Sequence, residues 1–122
     1  MTDTVPLWTP SAQQIADAPI THFMAEAAKA SGMAIESYDA LHGWSISDRE
    51  GFWSQVWDHC GVVGHKGERV LINGAKMPGA SFFPDARLNF AENLLRFDGD
   101  GDAVVFRGED KVKRRLSWNE LR

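Results

Sequence analysis

The sequence has a single cysteine, Cys60, so no disulfide can close within the chain, and a reducing compartment fits that usage. It also lacks any excess of positive charge. Thirteen Lys and Arg against seventeen Asp and Glu leave a net charge of -4, which argues against a duplex-binding surface, because neutralising phosphates takes clustered cations. No apolar stretch approaches the ~20 residues of a membrane-spanning helix. The N-terminus, MTDTVPLWTP, has neither the basic start nor the apolar centre of a signal peptide. A cytoplasmic protein with no nucleic acid and no membrane among its partners is the expectation. With 43% hydrophobic and 25% charged residues, disordered and fibrous classes are excluded too, and 122 residues allow one domain with a real core.

Pro6, Pro10 and Pro19 punctuate residues 1–18, predicting an extended arm with one helical turn after Ser11, anchored by Leu7, Trp8 and Ile15. From Pro19 to Ser31, Ile20, Phe23, Met24, Ala27 and Ala28 recur with helical period, and Gly32 marks the end. Ser47-Asp48-Arg49-Glu50 reads as a capping box opening a second helix, with Phe52, Trp53, Val56, Trp57 and Cys60 on one face. Between these helices, Tyr38, Leu41, Trp44 and Ile46 suggest a helical turn followed by an extended link. Glycines 61, 64, 67, 74 and 79 surround the short run Val70-Leu71-Ile72, which predicts a single strand or extended segment inside a long loop. Asp98-Gly99-Asp100-Gly101-Asp102 should be a flexible acidic turn, and Ala103–Phe106 with Lys113–Ser117 a β-hairpin. The basic run Lys111-Val112-Lys113-Arg114-Arg115 then lies on a solvated hairpin rather than a phosphate-binding patch. Ser117-Trp118-Asn119-Glu120 is again a capping box, followed only by Leu121 and Arg122. A single turn is not stable alone, so the chain is expected to be the N-terminal piece of a longer one.

Several groups invite a chemical reading. The glycines do not make a phosphate loop: Gly67-Glu68-Arg69-Val70-Leu71-Ile72-Asn73-Gly74-Ala75-Lys76 has the wrong spacing and no Lys-Ser/Thr ending. His59, Cys60 and His65 are zinc-type ligands, but neighbours on a helix point about 100° apart, and a fourth ligand would have to come from distant His42 or His22. The same geometry opposes a Cys60–His59 nucleophilic pair, and Cys60 is expected in the core. Trp8, Trp44, Trp53, Trp57 and Trp118 are numerous enough for a stacking platform for sugars or bases; burial of Trp53 and Trp57 at i, i+4 is the favoured reading.

The stretch FFPDARLNFAENLLR, residues 82–96, is the most orderly of these. Pro84 should push Phe83 into an extended conformation. Asn89 is then an N-cap with Glu92 completing a capping box, and Phe90, Ala91, Leu94 and Leu95 form an apolar face. Asn89, Asn93 and Arg96 make a polar stripe at i, i+4, i+7, read as a cap with hydrogen bonds to a neighbouring loop in preference to a ligand contact.

That stretch, with SISDREGFWSQVWDHCGVVG and RRLSWNEL, resembles the N-terminal region of acetoacetyl-CoA synthetases, or acetoacetate-CoA ligases, of the acyl-adenylate-forming superfamily. The resemblance runs from Leu7-Trp8 to the last residue. The family more often has Trp where Phe82 stands and Gly where Asp85 stands, while Leu88-Asn89, Ala91-Glu92-Asn93-Leu94-Leu95 and Arg96 fit. It implies an α+β fold: a mainly helical cap region over residues 1–102, then, over 103–122, the first hairpin and helix start of the AMP-binding domain. It implies a parent enzyme that activates acetoacetate with ATP and Mg and transfers the acyl group to CoA. The phosphate loop, adenylate motifs and catalytic lysine would lie beyond Arg122, so no catalytic, cofactor-binding or metal residue is assigned within the chain. The remainder of the adenylate-forming domain is the implied partner. Whether Arg87 or Arg96 approaches CoA is left open, as are self-association of the chain alone and the alternative of an independent Trp-rich interaction module.

Overall fold

The computed structural model describes residues 6–122; the first five residues of the expected arm lie outside the described residues. The fold is α+β, with four helices followed by two small antiparallel strand pairs and two short helices. α1 (Ala12–Ala16) opens at Ser11, whose hydroxyl accepts from the Gln14 N–H while Gln14 reaches back to the Ser11 N–H. The arm is not anchored as expected. Leu7, Trp8 and Ile15 are all more than half exposed.

α2 (Pro19–Ser31), α3 (Tyr38–Ser47) and α4 (Arg49–His59) build the core. Phe23 and Ala27 from α2, Leu41 and Trp44 from α3, and Ile35 from the link are buried together, with Met24, Ala28, Phe52 and Val56 packed at the edge. Phe52 touches both Phe23 and Trp44 edge-on, at ring distances of 5.8 and 5.7 Å. Gly32 ends α2 in the left-handed region, as its position predicts.

Two expectations are corrected here. Residues 38–47 form a full ten-residue helix rather than a turn and an extended link. Its intrinsic periodicity is poor, and burial of Leu41 and Trp44 against α2 and α4, with Ser37 as N-cap, supplies what propensity does not. The cap of α4 is Asp48, not Ser47. Ser47 is still helical as the last residue of α3, so it cannot adopt the non-helical backbone a cap needs; Asp48 does, with φ -126° and ψ 74°. Its Oδ1 accepts from the Gly51 N–H at 3.0 Å. Gly51 permits this, because a Cβ there would lie 2.2 Å from Asp48 Oδ2.

β1 (Leu71–Ile72) is the strand expected from Val70-Leu71-Ile72, and it pairs with β2 (Ser81–Phe82), Leu71 opposite Phe82. After the five-residue α5 (Phe90–Leu94) comes the predicted hairpin of β3 (Asp102–Arg107) and β4 (Lys113–Ser117), with Phe106 opposite Arg114 and Val104 opposite Leu116. α6 (Trp118–Leu121) carries the predicted reciprocal box of Ser117 and Glu120. Those hydrogen bonds from the Ser117 N–H and hydroxyl hold the Glu120 carboxyl below its ordinary pKa. The acidic turn at 98–102 is tied down rather than free. The Asn119 side chain accepts from the Gly99 N–H at 3.0 Å and donates to Asp100 Oδ1 at 2.9 Å, while Trp118 packs on Phe97 at 5.1 Å.

These assignments separate three substitutions. Leu41→Ala should cost about 2–5 kcal/mol, and Asp48→Ala about 0.5–2 kcal/mol through loss of the cap. Ser47→Ala should stay within about 0.5 kcal/mol. Urea midpoints at unchanged slope measure all three, and equal losses for Ser47→Ala and Asp48→Ala would contradict the cap position.

Candidate functional site

α4 presents two aromatic faces. Phe52 and Val56 meet the helical core, whereas Trp53 packs on Phe82 at 5.5 Å and buried Trp57 on Phe83 at 5.0 Å. The glycine-rich loop is thereby laid along the helix opposite the core. Trp53 remains 40% exposed, so burial holds for Trp57 and only partly for Trp53. With Trp44 and Trp57 buried and Trp8 on a separate arm, the tryptophans do not line up as a platform.

The polar stripe closes the far end of this loop. Asn93 accepts from the Val63 N–H through Oδ1 and donates through Nδ2 to the Val63 carbonyl, both at 2.8 Å, copying the two bonds of a strand pair. Arg96 Nη1 donates to the carbonyls of Cys60 and Gly61, each at 2.9 Å, where α4 leaves carbonyls without helical partners. Asn89 caps α5, accepting from the Ala91 and Glu92 N–H groups at 2.9 and 3.4 Å. The stripe is therefore a structural clamp, as its spacing suggested. The box is incomplete, however: among the described residues Glu92 makes no return bond to the Asn89 N–H. The expected apolar face of α5 is not a core face either, with Phe90 74% and Leu94 56% exposed.

Further back, His65 and Arg87 exchange backbone hydrogen bonds at 2.8 and 2.9 Å, and Gly64 and Gly67 make the close approach possible. A Cβ on Gly64 would stand 2.8 Å from the Arg87 carbonyl oxygen, and one on Gly67 2.6 Å from Asp85 Cβ. Both glycines also have positive φ, which explains their residue type without a phosphate. Phe83 departs from expectation. Its φ of 47° is left-handed rather than extended, because three contacts fix it together. Its N–H donates to the Val70 carbonyl at 2.8 Å, its own carbonyl accepts from the Ala86 N–H at 3.0 Å, and its ring lies on Trp57.

Three contacts of charged side chains in this region have at least one partner in an irregular segment, where no periodicity could announce them. Arg69 grips Asp85 with Nε–Oδ2 at 2.8 Å and Nη2–Oδ1 at 2.5 Å. Lys66 Nζ reaches Asp58 at 2.7 Å and the Ser54 hydroxyl at 3.0 Å on α4, and Arg49 Nη1 donates to the Gly74 carbonyl at 2.6 Å. The hydrogen bonds from Arg69 hold the Asp85 carboxyl below its ordinary pKa, partial burial opposing them, and the same pair raises that of Arg69. Asp85 is one of the two positions where the chain departs from the pattern it resembles, and here it serves the loop.

The residues weighed as zinc donors are drawn elsewhere. His59 Nδ1 lies 2.7 Å from Glu26 Oε2 across the α2–α4 contact, and His42 stacks on Tyr38. Cys60 is exposed, not buried, because α4 ends at His59 and Cys60 is its C-cap, turned out of the packed stripe. Of the two arginines considered for CoA, Arg96 is the clamp just described and lines an open depression of about 430 Å³ with Val63, Asn89, Glu92, Leu95 and Arg122. Arg87 is exposed, joined to His65 through its backbone. No helix among the described residues is long and apolar enough to cross a membrane.

Residues 38–94 match the family described as acetyl-coenzyme A synthetase N-terminus. Nearly the whole chain is similar to acetoacetyl-coenzyme A synthetase of Rhizobium meliloti (strain 1021), 51% identical over 117 residues, 96% of this chain and 18% of that protein. It is 34% identical over 108 residues to malonamoyl-CoA synthetase vrtB of Penicillium aethiopicum, 82% of this chain and 15% of that protein. The solved acetoacetyl-CoA synthetase from Streptomyces lividans superposes with a TM-score of 0.84 at 40% identity, over 97% of this chain and 19% of that one. The chain thus spans less than a fifth of the length of these relatives.

Two measurements probe the clamp. Asn93→Ala should speed amide exchange at Val63 while leaving α2 unchanged; equal exchange would show that the loop holds its place without Asn93. For Asp85 the sign is that of a depressed carboxyl: its contribution is present above the ordinary carboxylate pKa and disappears as pH falls through the lowered value. Arg69→Met should therefore be less stable than the parent chain above about pH 5 and converge with it toward about pH 2. A gap that persists undiminished in acid denaturation would rule out the ion pair as its source.

Proposed function

Residues 38–94 belong to the acetyl-coenzyme A synthetase N-terminus family and the chain to the acetoacetyl-CoA synthetase type of that region, and from this premise we propose that it is the N-terminal cap of an acetoacetate-CoA ligase. The complete enzyme would join acetoacetate to CoA at the expense of ATP, giving AMP, pyrophosphate and acetoacetyl-CoA. The observation that carries this reading is similarity along 96% of the chain to a protein more than five times as long.

Within that enzyme the chain's part is structural. Its polar residues in the candidate site are spent on one another: Asn93 on Val63, Arg96 on the end of α4, Asp85 on Arg69. Such an arrangement fixes a loop; it holds no nucleophile beside a base and no proton poised for transfer. Among the described residues no three His, Cys, Asp or Glu side chains are grouped as metal ligands. When bound in the complete enzyme, Mg would screen the ATP phosphates. The partner is the remainder of the adenylate-forming domain, met through the exposed apolar residues Leu88, Phe90, Leu94 and Phe97.

The purified chain, given ATP, Mg, acetoacetate and CoA, should release no acetoacetate-dependent pyrophosphate. Release above a no-acetoacetate control would place the chemistry inside these 122 residues and overturn the structural role.

A further inference from the structure

Four asparagines stand in the chain, and the fold employs three of them. Asn89 caps α5, Asn93 holds both backbone groups of Val63, and Asn119 ties down Gly99 and Asp100. Each of these side chains is fixed by hydrogen bonds, and each is followed by a residue with a large side chain, Phe90, Leu94 and Glu120. Asn73 differs on both counts. It is exposed, its carboxamide has no hydrogen-bond partner among the described residues, and the next residue is Gly74.

The turn after β1 accounts for both residues. Asn73 takes a left-handed backbone, φ 53°, which asparagine adopts more readily than most side chains. Its carbonyl accepts from the Lys76 N–H at 2.8 Å, and the Gly74 carbonyl accepts from Arg49 Nη1 at 2.6 Å. The Gly74 N–H, by contrast, donates to no group among the described residues. Gly74 is also close to the strand it leaves: a Cβ there would stand 2.7 Å from Leu71 Cδ2. Packing thus keeps a residue without a side chain beside Asn73, and its backbone nitrogen is neither hydrogen-bonded nor screened.

We propose that Asn73–Gly74 is a site of spontaneous covalent modification, at which the Asn73 carboxamide is converted to aspartate and isoaspartate through a cyclic imide. Hydroxide takes the proton from the Gly74 backbone nitrogen, which attacks Asn73 Cγ. The new N–Cγ bond closes a five-membered ring, and the Cγ–Nδ2 bond breaks, Nδ2 leaving as ammonia with a proton from water. Two groups held on adjacent residues need no encounter, which is what makes such an attack fast. Water then opens the imide at one of its two carbonyls. Opening at Cγ gives aspartate with the main chain unchanged. Opening at the former main-chain carbonyl gives isoaspartate, in which the chain runs through Cβ and Cγ and that carbonyl carbon becomes a free carboxylate. Either product adds a negative charge to the turn that Arg49 holds. The inference stands apart from the ligase reading, since its only reagents are hydroxide and water.

Incubating the chain in mildly alkaline buffer and mapping its peptides by mass spectrometry tests this. The peptide containing Asn73 should gain the mass difference between an amide and an acid and divide into two chromatographic forms. One of them, the isoaspartyl form, should accept a labelled methyl group from an isoaspartyl-specific carboxyl methyltransferase. The share of the fold is read by repeating the incubation in guanidinium chloride. Asn73 should convert in the native chain within about tenfold of its rate in the unfolded one, and faster than Asn89, Asn93 and Asn119 in the same native sample. Gly74→Ala crowds the attacking nitrogen, so in the unfolded chain, where packing on Leu71 plays no part, it should slow conversion about tenfold or more. An Asn73 peptide that stays intact, a native rate below that tenfold margin, equal conversion of the other three asparagines, or an unchanged rate in Gly74→Ala would each overturn the proposal.

Discussion

The structure depends on one helix that is buried from two sides. α4 is only eleven residues long, yet Phe52 on one side meets Phe23 and Trp44, and Trp53 and Trp57 on the other meet Phe82 and Phe83. Aromatic side chains bury large areas, and edge-on pairs add about 0.5–1.5 kcal/mol beyond that area. The α2–α3 core packs on one side of α4 and the long loop on the other. α4 is the wall they share, and each would lose a face without it.

Packing alone would leave the loop's backbone unsatisfied, because a segment with two residues of strand at each pairing provides few ladder bonds. The remaining groups are taken up by side chains aimed at main-chain atoms. Asn93 imitates a strand partner for Val63, Arg96 completes the carbonyl end of α4, and Arg49 takes the Gly74 carbonyl. The same economy accounts for Gly64 and Gly67, where the backbone of residues 85–88 comes too close for a side chain. Polar residues that looked like a binding stripe are thus the loop's fasteners. That observation moves the functional weight from these side chains to the surface they hold in shape.

Between residues 88 and 112 the chain exposes Phe90 and Leu94 of α5, Phe97 beyond it, and Val105 and Phe106 of β3. A five-residue helix with an exposed apolar face gains little from its own packing. Relatives more than five times longer have chain enough to cover such a face in a complete enzyme.

Local signals were sufficient wherever a residue acts on its own turn of chain. The periodicity of residues 19–31, the box at Ser117, the cap at Asn89 and the hairpin are all legible from spacing, because their partners lie within four residues or across a short turn. So is the polar stripe, whose members share a helix face, and the resemblance of the whole chain named the ligase region. The sequence by itself therefore determined the helix over 19–31, the hairpin and the helix starts at Asn89 and Ser117, and which polar residues stand together. Tertiary structure alone decided that residues 38–47 continue as helix, that Asp48 rather than Ser47 caps α4, that Cys60 points outward, and that Phe83 takes a left-handed backbone. Each of those outcomes rests on a partner far along the chain or on which of two adjacent helices claims a shared residue. Contacts such as Arg69 to Asp85 and Arg96 to Cys60 belong to that class, since their energy exists only once the loop has been laid against α4.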